Sequence, residues 1–444
     1  MLDFNKNNNS GQKVKKMLYY VGCLVFIKGE TQMENKAKEI LKQYKQEHII
    51  EFINKSNTVV KDKLINQVLN IDFKELKELY EKTFEDIYVD LEELHPITGV
   101  NPDKLSKEEL KNYEKIGSDI IKKNKFAVAT MAGGQGTRLG HPTAKGTFKI
   151  EFDNGEKSLF EIIVDTLKRA NREYNVIIPW YIMTSNENNA DTIRFLEENM
   201  YFGYPKDYVC VFEQGKLPLI TEEGKLLIGR DGLIKEASNG NGGIFNSMLK
   251  KGVIKDLEKR GIEWVFIGSV DNILLKYVDV LLLGLTANKG KQIGTRTVLK
   301  RNPDEKVGVL CKQNNRVKVI EYTELPNDIA SITDDNGELV FGESHIMCNL
   351  FNINAVKRAS TNELEYHIAF KKTNYVDEEG VLVEPTKENA YKFEQFIFDT
   401  FKIFDDIAIL RGKREEDFAP VKNMTGEDSP ETAKKLYENY WKNR

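Results

Sequence analysis

The sequence predicts a mixed α/β fold in which a mostly parallel sheet follows a helical N-terminal region and precedes a small C-terminal lobe. Between Met33 and Lys125 apolar residues recur at helical spacing, and after Lys125 short apolar stretches alternate with amphipathic helices. Such alternation is typical of parallel sheets, because two parallel strands need a crossover connection that is usually a helix. Prolines then punctuate the last part of the chain. We therefore expect a helical region over 33–115, an α/β domain over 116–385 and a C-terminal lobe over 386–444.

The composition describes a protein with ample core and no strong net charge. The chain has 444 residues, of which 40% are apolar and 30% charged, and its formal net charge is −4. This balance, without a long basic block, argues against nucleic acid as a partner. The 4 cysteines are scattered without C-x-x-C spacing, so the sequence indicates neither a disulfide framework nor a zinc site and fits a reducing cytoplasm.

An apolar run lies near the start of the chain. Met17–Ile27 is an apolar run behind several lysines, but it is too short to span a bilayer and lacks the small-residue cleavage site of a signal peptide. We therefore expect neither secretion nor insertion into a membrane. The codons for the Lys-Gly-Glu triplet at 28–30 can contain a purine-rich ribosome-binding site ahead of Met33. Our hypothesis is that translation naturally starts at Met33 and that 1–32 are a translated leader or a disordered extension.

The individual elements follow from these patterns in chain order. Ser106 and Glu109 form a capping-box signature, which predicts the start of a helix. We interpret the charged face of the N-terminal helices as a solvated surface, with partner binding as the alternative. The elements predicted next are strand Phe126–Met131, helix Leu159–Glu173, strand Ile177–Thr184, helix Asn189–Glu198, strand Val209–Phe212, helix Ile244–Lys259, strand Trp264–Val270, and strands Ile293–Leu299, Val307–Cys311 and Val317–Tyr322.

The stretch after the first of these strands has the composition of an anion-binding loop. Gly133, Gly134 and Gly136 let backbone N–H groups approach an anion without a Cβ atom in the way, and Arg138 and Lys145 follow closely. The spacing fits neither the dinucleotide fingerprint G-x-G-x-x-G nor the P-loop G-x-x-x-x-G-K-[ST]. What remains is a nucleotide loop whose two cations reach several phosphates at once, as transfer of a nucleotidyl group requires. The alternative is a glycine turn with two solvated cations.

Other polar residues follow strands in the same way. EASNGNGGIF, at 236–245, is a second glycine cluster, in which Asn241 adds an amide that can donate and accept. Asp271 ends a strand and is placed to hold Mg²⁺, which prefers hard oxygen ligands; the alternative is a helix cap. Gln214 can pair with the edge of a base, and Lys422 follows a proline-stiffened turn from which a cation can reach the site. No Ser/His/Asp spacing indicates a covalent nucleophile, which favours direct attack of one substrate on another.

With these residues assembled, the chain resembles the eukaryotic-type UDP-N-acetylglucosamine (UDP-N-acetylhexosamine) pyrophosphorylases, within the wider UDP-sugar pyrophosphorylase family. The resemblance runs from about Leu105 to the C-terminal region. The segments that match the family's pattern, in order, are AGGQGTRLG, IPWYIMTS, EQGKLP, GNGG, VDNIL, VGVLC, IEYTE, YKFEQFIFD and APVKN. The resemblance implies a Rossmann-like nucleotidyltransferase core that joins UTP to N-acetylglucosamine 1-phosphate, releases pyrophosphate and uses Mg²⁺.

The resemblance also implies roles for individual residues. The expected catalytic residues are Arg138, Lys145 and Lys422, and the expected metal ligand is Asp271. The residues expected to bind the nucleotide are Gly133, Gly134, Gln214 and Gly240. The residues expected to bind the sugar are Asn241, Gly308, Glu321 and Asn349. Within these groups Gly134 and Gln214 are expected to contact the uracil, and Arg138 and Lys145 to meet the triphosphate. Catalysis by such a set would consist of positioning and of stabilising charge.

The chain departs from the family's pattern at three places. Ala144 stands where the family has the proline of its PKG segment, and Asn239 stands where the family usually has aspartate. The family's N-I-x-N-H-F-F segment is replaced by HIMCNLF, so the asparagine expected at the acetamido group falls on Cys348, or on Asn349 after a one-residue shift. Glucose 1-phosphate, N-acetylgalactosamine 1-phosphate or a broad set of sugar phosphates are therefore the alternative substrates. An alternative of another class is a protein that binds a nucleotide sugar without turning it over.

Overall fold

The computed structural model describes residues 32–85 and 94–442. The apolar run Met17–Ile27 and nearly all of the proposed leader lie outside the described residues. Within the described ranges, no helix is long and apolar enough to cross a membrane.

These residues form two compact units. The helical unit comprises the described residues up to Glu85, Leu217–Ala237 and Ile368–Phe393, and the sheet unit comprises the described residues of Asp86–Lys216, Ser238–His367 and Glu394–Arg444. Two segments from later in the chain thus belong to the unit of the N-terminal helices. The domain boundaries expected from the sequence stay predictions.

Helices and strands alternate along most of the chain. The helices are α1 (32–43), α2 (Glu47–Lys55), α3 (Thr58–Asn70), α4 (Phe73–Lys82), α5 (Lys107–Lys122), α6 (Leu159–Tyr174), α7 (Asn189–Glu198), α8 (Ile244–Lys250), α9 (Val253–Lys259), α10 (Val280–Asn288), α11 (Asn327–Ala330), α12 (Ile353–Thr361), α13 (Arg414–Asp417) and α14 (Pro430–Lys442). The strands are β1 (His95–Pro96), β2 (Phe126–Met131), β3 (Lys149–Phe152), β4 (Gly155–Ser158), β5 (Trp180–Thr184), β6 (Val209–Glu213), β7 (Lys216–Pro218), β8 (Ile220–Thr221), β9 (Glu236–Ser238), β10 (Trp264–Ser269), β11 (Ile293–Leu299), β12 (Val309–Gln313), β13 (Arg316–Ile320), β14 (Glu343–Asn352), β15 (His367–Lys371), β16 (Tyr375–Val376), β17 (Leu382–Val383), β18 (Ala390–Glu394) and β19 (Ala408–Arg411).

The helical unit is built from capped helices that hold the segment 217–237. The side chain of Asp72 accepts hydrogen bonds from the backbone at the start of α4, which satisfies N–H groups that have no partner within a helix. The Gln46 side chain donates to the carbonyl of Gly224 and accepts from the N–H of Leu226, at 2.8 and 2.9 Å. Gln67 makes the same pair of bonds with Ile234. Two glutamines therefore pair with the backbone of the later segment much as a neighbouring strand would.

A ten-stranded sheet forms the centre of the sheet unit and confirms the predicted α/β class. Strands β10, β2, β5 and β6 are parallel neighbours in that order. Beyond β10 the pairing becomes antiparallel at β14, which also pairs with β11 and β12. Because the four parallel strands run in one direction, the loops after Met131, Thr184, Glu213 and Ser269 emerge at one edge of the sheet.

Helices cover both faces of this sheet. All six residues of β2 are buried, as expected of a strand covered on both sides. One face packs against α6 and α10 through residues such as Phe160 and Leu282, and the other against α8 and α12 through Phe245 and Val356. This packing on both faces holds the parallel strands, and the loops that follow them, in place.

One predicted helix was wrong in its extent. The sequence favoured a single helix over Ile244–Lys259, but the structure has α8 and α9 with a break between them. Gly252 lies at the break with a φ of +77°, a left-handed conformation that glycine adopts without strain. The predicted helix is therefore divided into two helices of seven residues each.

Candidate active site

The first glycine loop is held in shape by its own backbone and by one buried side chain. The Lys145 N–H donates to the Gly134 carbonyl at 3.0 Å and closes the loop. The side-chain NH₂ of Asn188, at the start of α7, donates to the carbonyls of Ala132 and Gly134 at 3.0 and 3.2 Å. Asn188 is fully buried and was missed by sequence reasoning, although it follows the TS pair of IPWYIMTS. Backbone and side-chain hydrogen bonds within the protein thus fix the shape of the loop.

The alanine at the family's proline position leaves the loop's backbone in a proline-like conformation. Ala144 is buried and has a φ of −53°, which lies within the range that a proline ring imposes. The next glycine, Gly146, has no room for a side chain, because a Cβ atom there would lie 2.2 Å from Cζ of Phe160. A proline would therefore fit the φ angle that Ala144 adopts.

The two cations of this loop have different surroundings. Arg138 is exposed on a single 3₁₀ turn, Thr137–Leu139. Lys145 points toward the neighbouring strand end, where its Nζ atom lies 2.9 Å from Oδ2 of Asp271. The structure therefore brings Lys145 and the expected metal ligand together and leaves Arg138 at the surface of the loop.

Gln214 lies directly against the first glycines. Its backbone N–H donates to the Thr184 carbonyl at 2.8 Å, so it continues the β5–β6 pairing to the edge of the sheet. A Cβ atom at Gly133 would lie 2.8 Å from Nε2 of Gln214. Gly133 therefore allows the half-buried amide to approach the loop, which is the arrangement expected of residues that share one ligand.

The second glycine cluster packs on the segment that follows β18. Gly240 has a φ of +87°, and a Cβ atom there would lie 2.3 Å from the Gln395 carbonyl oxygen. The Gly242 N–H donates to the same carbonyl at 2.8 Å. The side-chain oxygen of Asn241 accepts from the Ile397 N–H at 2.8 Å, which fixes the orientation of its amide. Glycine is therefore required at 240 by a close approach of backbone to backbone.

Asp271 and Lys422 are brought together by a pairing between two distant segments. The Val421 N–H donates to the Asp271 carbonyl at 2.9 Å, and the side chain of Asn272 pairs with the backbone of Asp417 and Ala419 at 2.8 Å each. Lys422 follows Val421 and lies 3.4 Å from the carboxylate of Asp428. The expected helix-cap alternative for Asp271 does not apply, because Asp279 caps the next helix.

The charge of Asp271 is set by its neighbours. Burial alone would raise the pKa of this carboxyl group, but Lys145, the hydroxyl of Ser269 and Lys422 outweigh burial and hold the pKa at about 2. The Ser269 hydroxyl donates to Oδ1 of Asp271 at 2.6 Å. Asp271 is therefore ionised at any physiological pH, as a metal-binding carboxylate must be.

Gly308 and Glu321, both assigned to the sugar, lie beside each other. A Cβ atom at Gly308 would lie 3.2 Å from Oε1 of Glu321. Burial and the neighbouring Glu324 raise the pKa of the half-buried Glu321, while His367 and Lys422 oppose this shift. Lys422, which lies near Asp271, therefore also acts on the pKa of Glu321.

Asn349 lies in the interior of the sheet. It is 0% exposed, and its side-chain oxygen lies 2.9 Å from Nε2 of His345 and 3.2 Å from Oγ1 of Thr295. Cys348 is also 0% exposed, and burial raises the pKa of its thiol. The structure therefore does not bring either alternative for the expected asparagine to the surface of a pocket.

Sequence reasoning also missed residues around Glu321. The His345 N–H donates to the Gly308 carbonyl at 2.9 Å, and its ring packs against Phe398. His367 lies 2.7 Å from Asp399, and the His367 ring lies 4.5 Å from the ring of Phe396. The signal for these residues was the matched segment YKFEQFIFD and the histidine that opens HIMCNLF. These aromatic and polar side chains therefore lie near Gly308 and Glu321, the two residues expected at the sugar.

Comparisons with known proteins identify the family to which the chain is similar. The family described as UTP--glucose-1-phosphate uridylyltransferase matches residues 71–427. A UDP-N-acetylhexosamine pyrophosphorylase-like protein 1 of Xenopus tropicalis is 36% identical over 76% of this chain and 68% of its own length. The chain thus spans about two thirds of that relative. A probable UDP-N-acetylglucosamine pyrophosphorylase of Dictyostelium discoideum is 33% identical over 87% of this chain and 84% of its own.

A solved structure extends the similarity to the fold. The UDP-N-acetylglucosamine pyrophosphorylase of Trypanosoma brucei superposes with a TM-score of 0.77 at 28% identity, over 91% of this chain and 84% of that one. The match of the family over most of the chain, together with these relatives, establishes the relationship. The chain belongs to the UTP--glucose-1-phosphate uridylyltransferase family, in its group of UDP-N-acetylglucosamine pyrophosphorylases.

Proposed function

We propose that this chain is a cytoplasmic uridylyltransferase that joins UTP and N-acetylglucosamine 1-phosphate, with Mg²⁺, to give UDP-N-acetylglucosamine and pyrophosphate. The names of the relatives support both the reaction and the sugar. The observation that carries the proposal is the convergence of Lys145, Asp271 and Lys422 at the carboxyl edge of the parallel strands. Two lysines and one ionised carboxylate beside a glycine loop suit a triphosphate and the cation that accompanies it.

The reaction needs positioned charge and no covalent intermediate. An oxygen of the sugar phosphate forms a bond to the α-phosphorus of UTP while the bond from that phosphorus to the oxygen bridging to the β-phosphate breaks. Pyrophosphate leaves with the electron pair of the broken bond. The attacking phosphate is already anionic, so no side chain has to accept a proton. Lys145, Lys422 and the N–H groups of the glycine loop can stabilise the negative charge that shifts toward the leaving group.

Asp271 is the residue that fits a magnesium ion. Residues 32–85 and 94–442 contain no group of three or more histidine, cysteine or acidic side chains that could hold a metal by themselves. Mg²⁺ usually keeps several waters and takes one or two carboxylates together with substrate phosphates, so one ionised carboxylate beside a phosphate loop suits it. When bound, the ion supplies positive charge that neutralises phosphate oxygens.

Glucose 1-phosphate is the second candidate substrate. The observation that favours it is the burial of Asn349, which is 0% exposed and bonded inside the sheet. An acetamido group in a pocket adds only about 1–3 kcal/mol of discrimination unless buried polar groups depend on it. Loss of one amide contact would therefore bring the two sugars close together in reactivity.

The cysteines support a reducing compartment. Cys210, Cys311 and Cys348 are free in the described part of the chain. Secreted proteins usually pair their cysteines, whereas cytoplasmic proteins keep them reduced.

The proposal is tested by identifying the product. The purified full chain is mixed with UTP, N-acetylglucosamine 1-phosphate and Mg²⁺, and the nucleotide sugar is detected by mass spectrometry and the pyrophosphate by an enzymatic assay. We expect both products in equal amounts, and none when Mg²⁺ is removed by a chelator. UTP binding by calorimetry without turnover of any sugar phosphate would instead identify a nucleotide-sugar binding protein.

A further inference from the structure

A buried network of charges lies behind the candidate site. The Arg296 guanidinium in β11 donates two hydrogen bonds to Asp279, at 2.6 and 2.9 Å, and its Nε atom lies 3.6 Å from Oδ1 of Asp417. Lys276 binds the same Oδ1 atom at 2.7 Å. Arg296 is 5% exposed and Asp417 2% exposed. One cation and two carboxylates are therefore withdrawn from water together, with the half-buried Lys276 beside them, outside the set of residues assigned to the substrates.

This network is joined to the site through one asparagine. The side chain of Asn272 donates to the carbonyl of Asp417 at 2.8 Å and accepts from the N–H of Ala419 at 2.8 Å. Asn272 is 2% exposed and directly follows Asp271. The carboxylate of Asp417 also accepts from the N–H of Lys413 at 2.9 Å, which holds the turn of α13. The position of Asp417 thus determines where Asn272 can bind.

The same pairing continues to Lys422. The Ile273 N–H donates to the Ala419 carbonyl at 3.2 Å, and the Val421 N–H donates to the Asp271 carbonyl at 2.9 Å. The segment from Asp417 to Lys422 therefore runs along 271–273 with hydrogen bonds at each end. Its placement sets the separation between the Asp271 carboxylate and the Lys422 ammonium group.

The cost of burying these charges argues for a role in geometry. Removing ions from water costs several kcal/mol each, and a buried ion pair is often no more stabilising than apolar residues of the same volume. A buried network is therefore weak support for stability, whereas its directional bonds can fix one arrangement of the segments they join. Here the segments joined are the two that carry Asp271 and Lys422.

We propose that Arg296 and Asp417 are positioning residues for uridylyl transfer, which hold Asp271 and Lys422 at the separation the reaction needs. This inference rests on the proposed function. Both residues are buried, and both act through Asn272 and the segment that ends at Lys422. Loss of the network would then misplace charge around the reacting phosphate, so it would lower kcat more than it raises KM for the sugar phosphate.

The test compares Asp417→Asn with a matched ion-pair variant, Asp406→Asn. Asp406 pairs with Lys291 at 2.8 Å in the same unit, but it is half-exposed and has no bond to 271–273. We expect Asp417→Asn to lower kcat at least tenfold, to change KM for the sugar phosphate less than threefold and to raise the Mg²⁺ concentration that gives half the maximal rate. Asp406→Asn should keep the parent values. A folded Asp417→Asn protein with the parent kcat and Mg²⁺ dependence, or an equal loss in both variants, would overturn the proposal.

A binding measurement separates this inference from the proposed function. Calorimetry of UTP binding with and without Mg²⁺ gives the factor by which Mg²⁺ strengthens binding, and we expect Asp417→Asn to reduce this factor severalfold. If the parent releases no pyrophosphate from any sugar phosphate, the proposed function fails. The UTP titrations still show, through the Mg²⁺ factor, whether Arg296 and Asp417 act on the site. If Asp417→Asn does not fold, Arg296→Lys takes its place, because it keeps the charge and loses the two-bond geometry. An unchanged Mg²⁺ factor in that folded variant would overturn the proposal.

Discussion

The Nζ atom of Lys145 lies 2.9 Å from the Oδ2 atom of Asp271, although 126 residues separate them in the chain. The contact follows from the sheet, because β2 and β10 are parallel neighbours and Met131 pairs with Ser269 at their carboxyl ends. The glycine loop after β2 and the carboxylate after β10 therefore emerge side by side. The ion pair therefore places a cation and a carboxylate together at the carboxyl edge of the parallel strands.

Replacement of Lys145 should remove most of the activity. We expect Lys145→Ala to lower kcat by about 10²- to 10³-fold, because a positioned cation in a partly buried site stabilises charge mainly in the transition state. The fold should persist, since Ser269 and Lys422 still neighbour Asp271. The measurement is the initial rate of pyrophosphate release, with circular dichroism to confirm folding.

Lys149→Ala is the matched control for this variant. Lys149 lies four residues further on, is exposed and pairs with Glu156 at 2.9 Å across the β3–β4 hairpin. The control should keep the parent rate. Parent-like turnover in Lys145→Ala would remove this lysine from the mechanism.

Replacement of Asp271 should act on the metal requirement. We expect Asp271→Asn to raise the Mg²⁺ concentration for half-maximal rate by about 10- to 100-fold, because a neutral amide is a weaker ligand than a carboxylate. The rate is measured over a Mg²⁺ titration at saturating UTP. Asp119→Asn, which removes a surface carboxylate paired with Lys115, serves as the control. An Asp271→Asn titration that overlays the parent would show that the metal is held elsewhere.

His345 should make the fold less stable in mild acid. Burial lowers the pKa of His345 to about 4, below the ordinary value of about 6.5. The unfolded chain therefore binds a proton between pH 6.5 and 4 that the folded chain does not, so the free energy of unfolding falls as the pH falls through this range. The contribution lost between pH 7 and 5 is about 2 kcal/mol for a shift of this size.

The variant His345→Asn tests this contribution. Asparagine is the first residue of the family's N-I-x-N-H-F-F segment, and its side chain does not titrate. The decrease in free energy of unfolding from pH 7 to 5, measured with urea, should shrink by about 2 kcal/mol relative to the parent. The exposed His95→Asn should leave the decrease unchanged. An equal pH dependence of the unfolding free energy in His345→Asn and the parent would contradict a contribution from His345.

A side chain at Gly240 should break the second glycine cluster. We expect Gly240→Ala to lower the free energy of unfolding by more than about 3 kcal/mol, because its φ of +87° is strained for alanine and its Cβ would clash with the Gln395 carbonyl. Gly252→Ala separates the two causes, since Gly252 has a φ of +77° and open space around it. The control should lose only about 1–2 kcal/mol. Equal losses of unfolding free energy in the two variants would show that the close approach at Gly240 does not add to the destabilisation.

The parts of the site that lie close to a strand end were predictable from the sequence. The glycine loop, Gln214 and Asp271 each follow a short apolar run, and parallel strands gather such positions at one edge. The capping box of Ser106 and Glu109 is also present at the start of α5. These features depend on residues that are neighbours in the chain.

The parts that depend on distant contacts were not predictable. Nothing in the local pattern of 217–237 indicates that Gln46 and Gln67 bind its backbone. Asn349 belongs to a ten-residue strand in which nearly every residue is buried, so alternation could not show which side chains face a pocket. The bonds of Asn272 to Asp417 and Ala419 are likewise visible only in the folded chain.

We expect the residues around Lys145, Asp271 and Lys422 to transfer a uridylyl group to a hexosamine phosphate. The most direct measurement is kcat/KM for pyrophosphate release from UTP and Mg²⁺ with N-acetylglucosamine, N-acetylgalactosamine and glucose 1-phosphates in parallel. We expect release with the N-acetylated sugars, with N-acetylglucosamine 1-phosphate preferred, and its near-complete loss in Lys145→Ala. A preference for glucose 1-phosphate would correct the sugar and keep the reaction. No release with any of the three would contradict uridylyl transfer by this site.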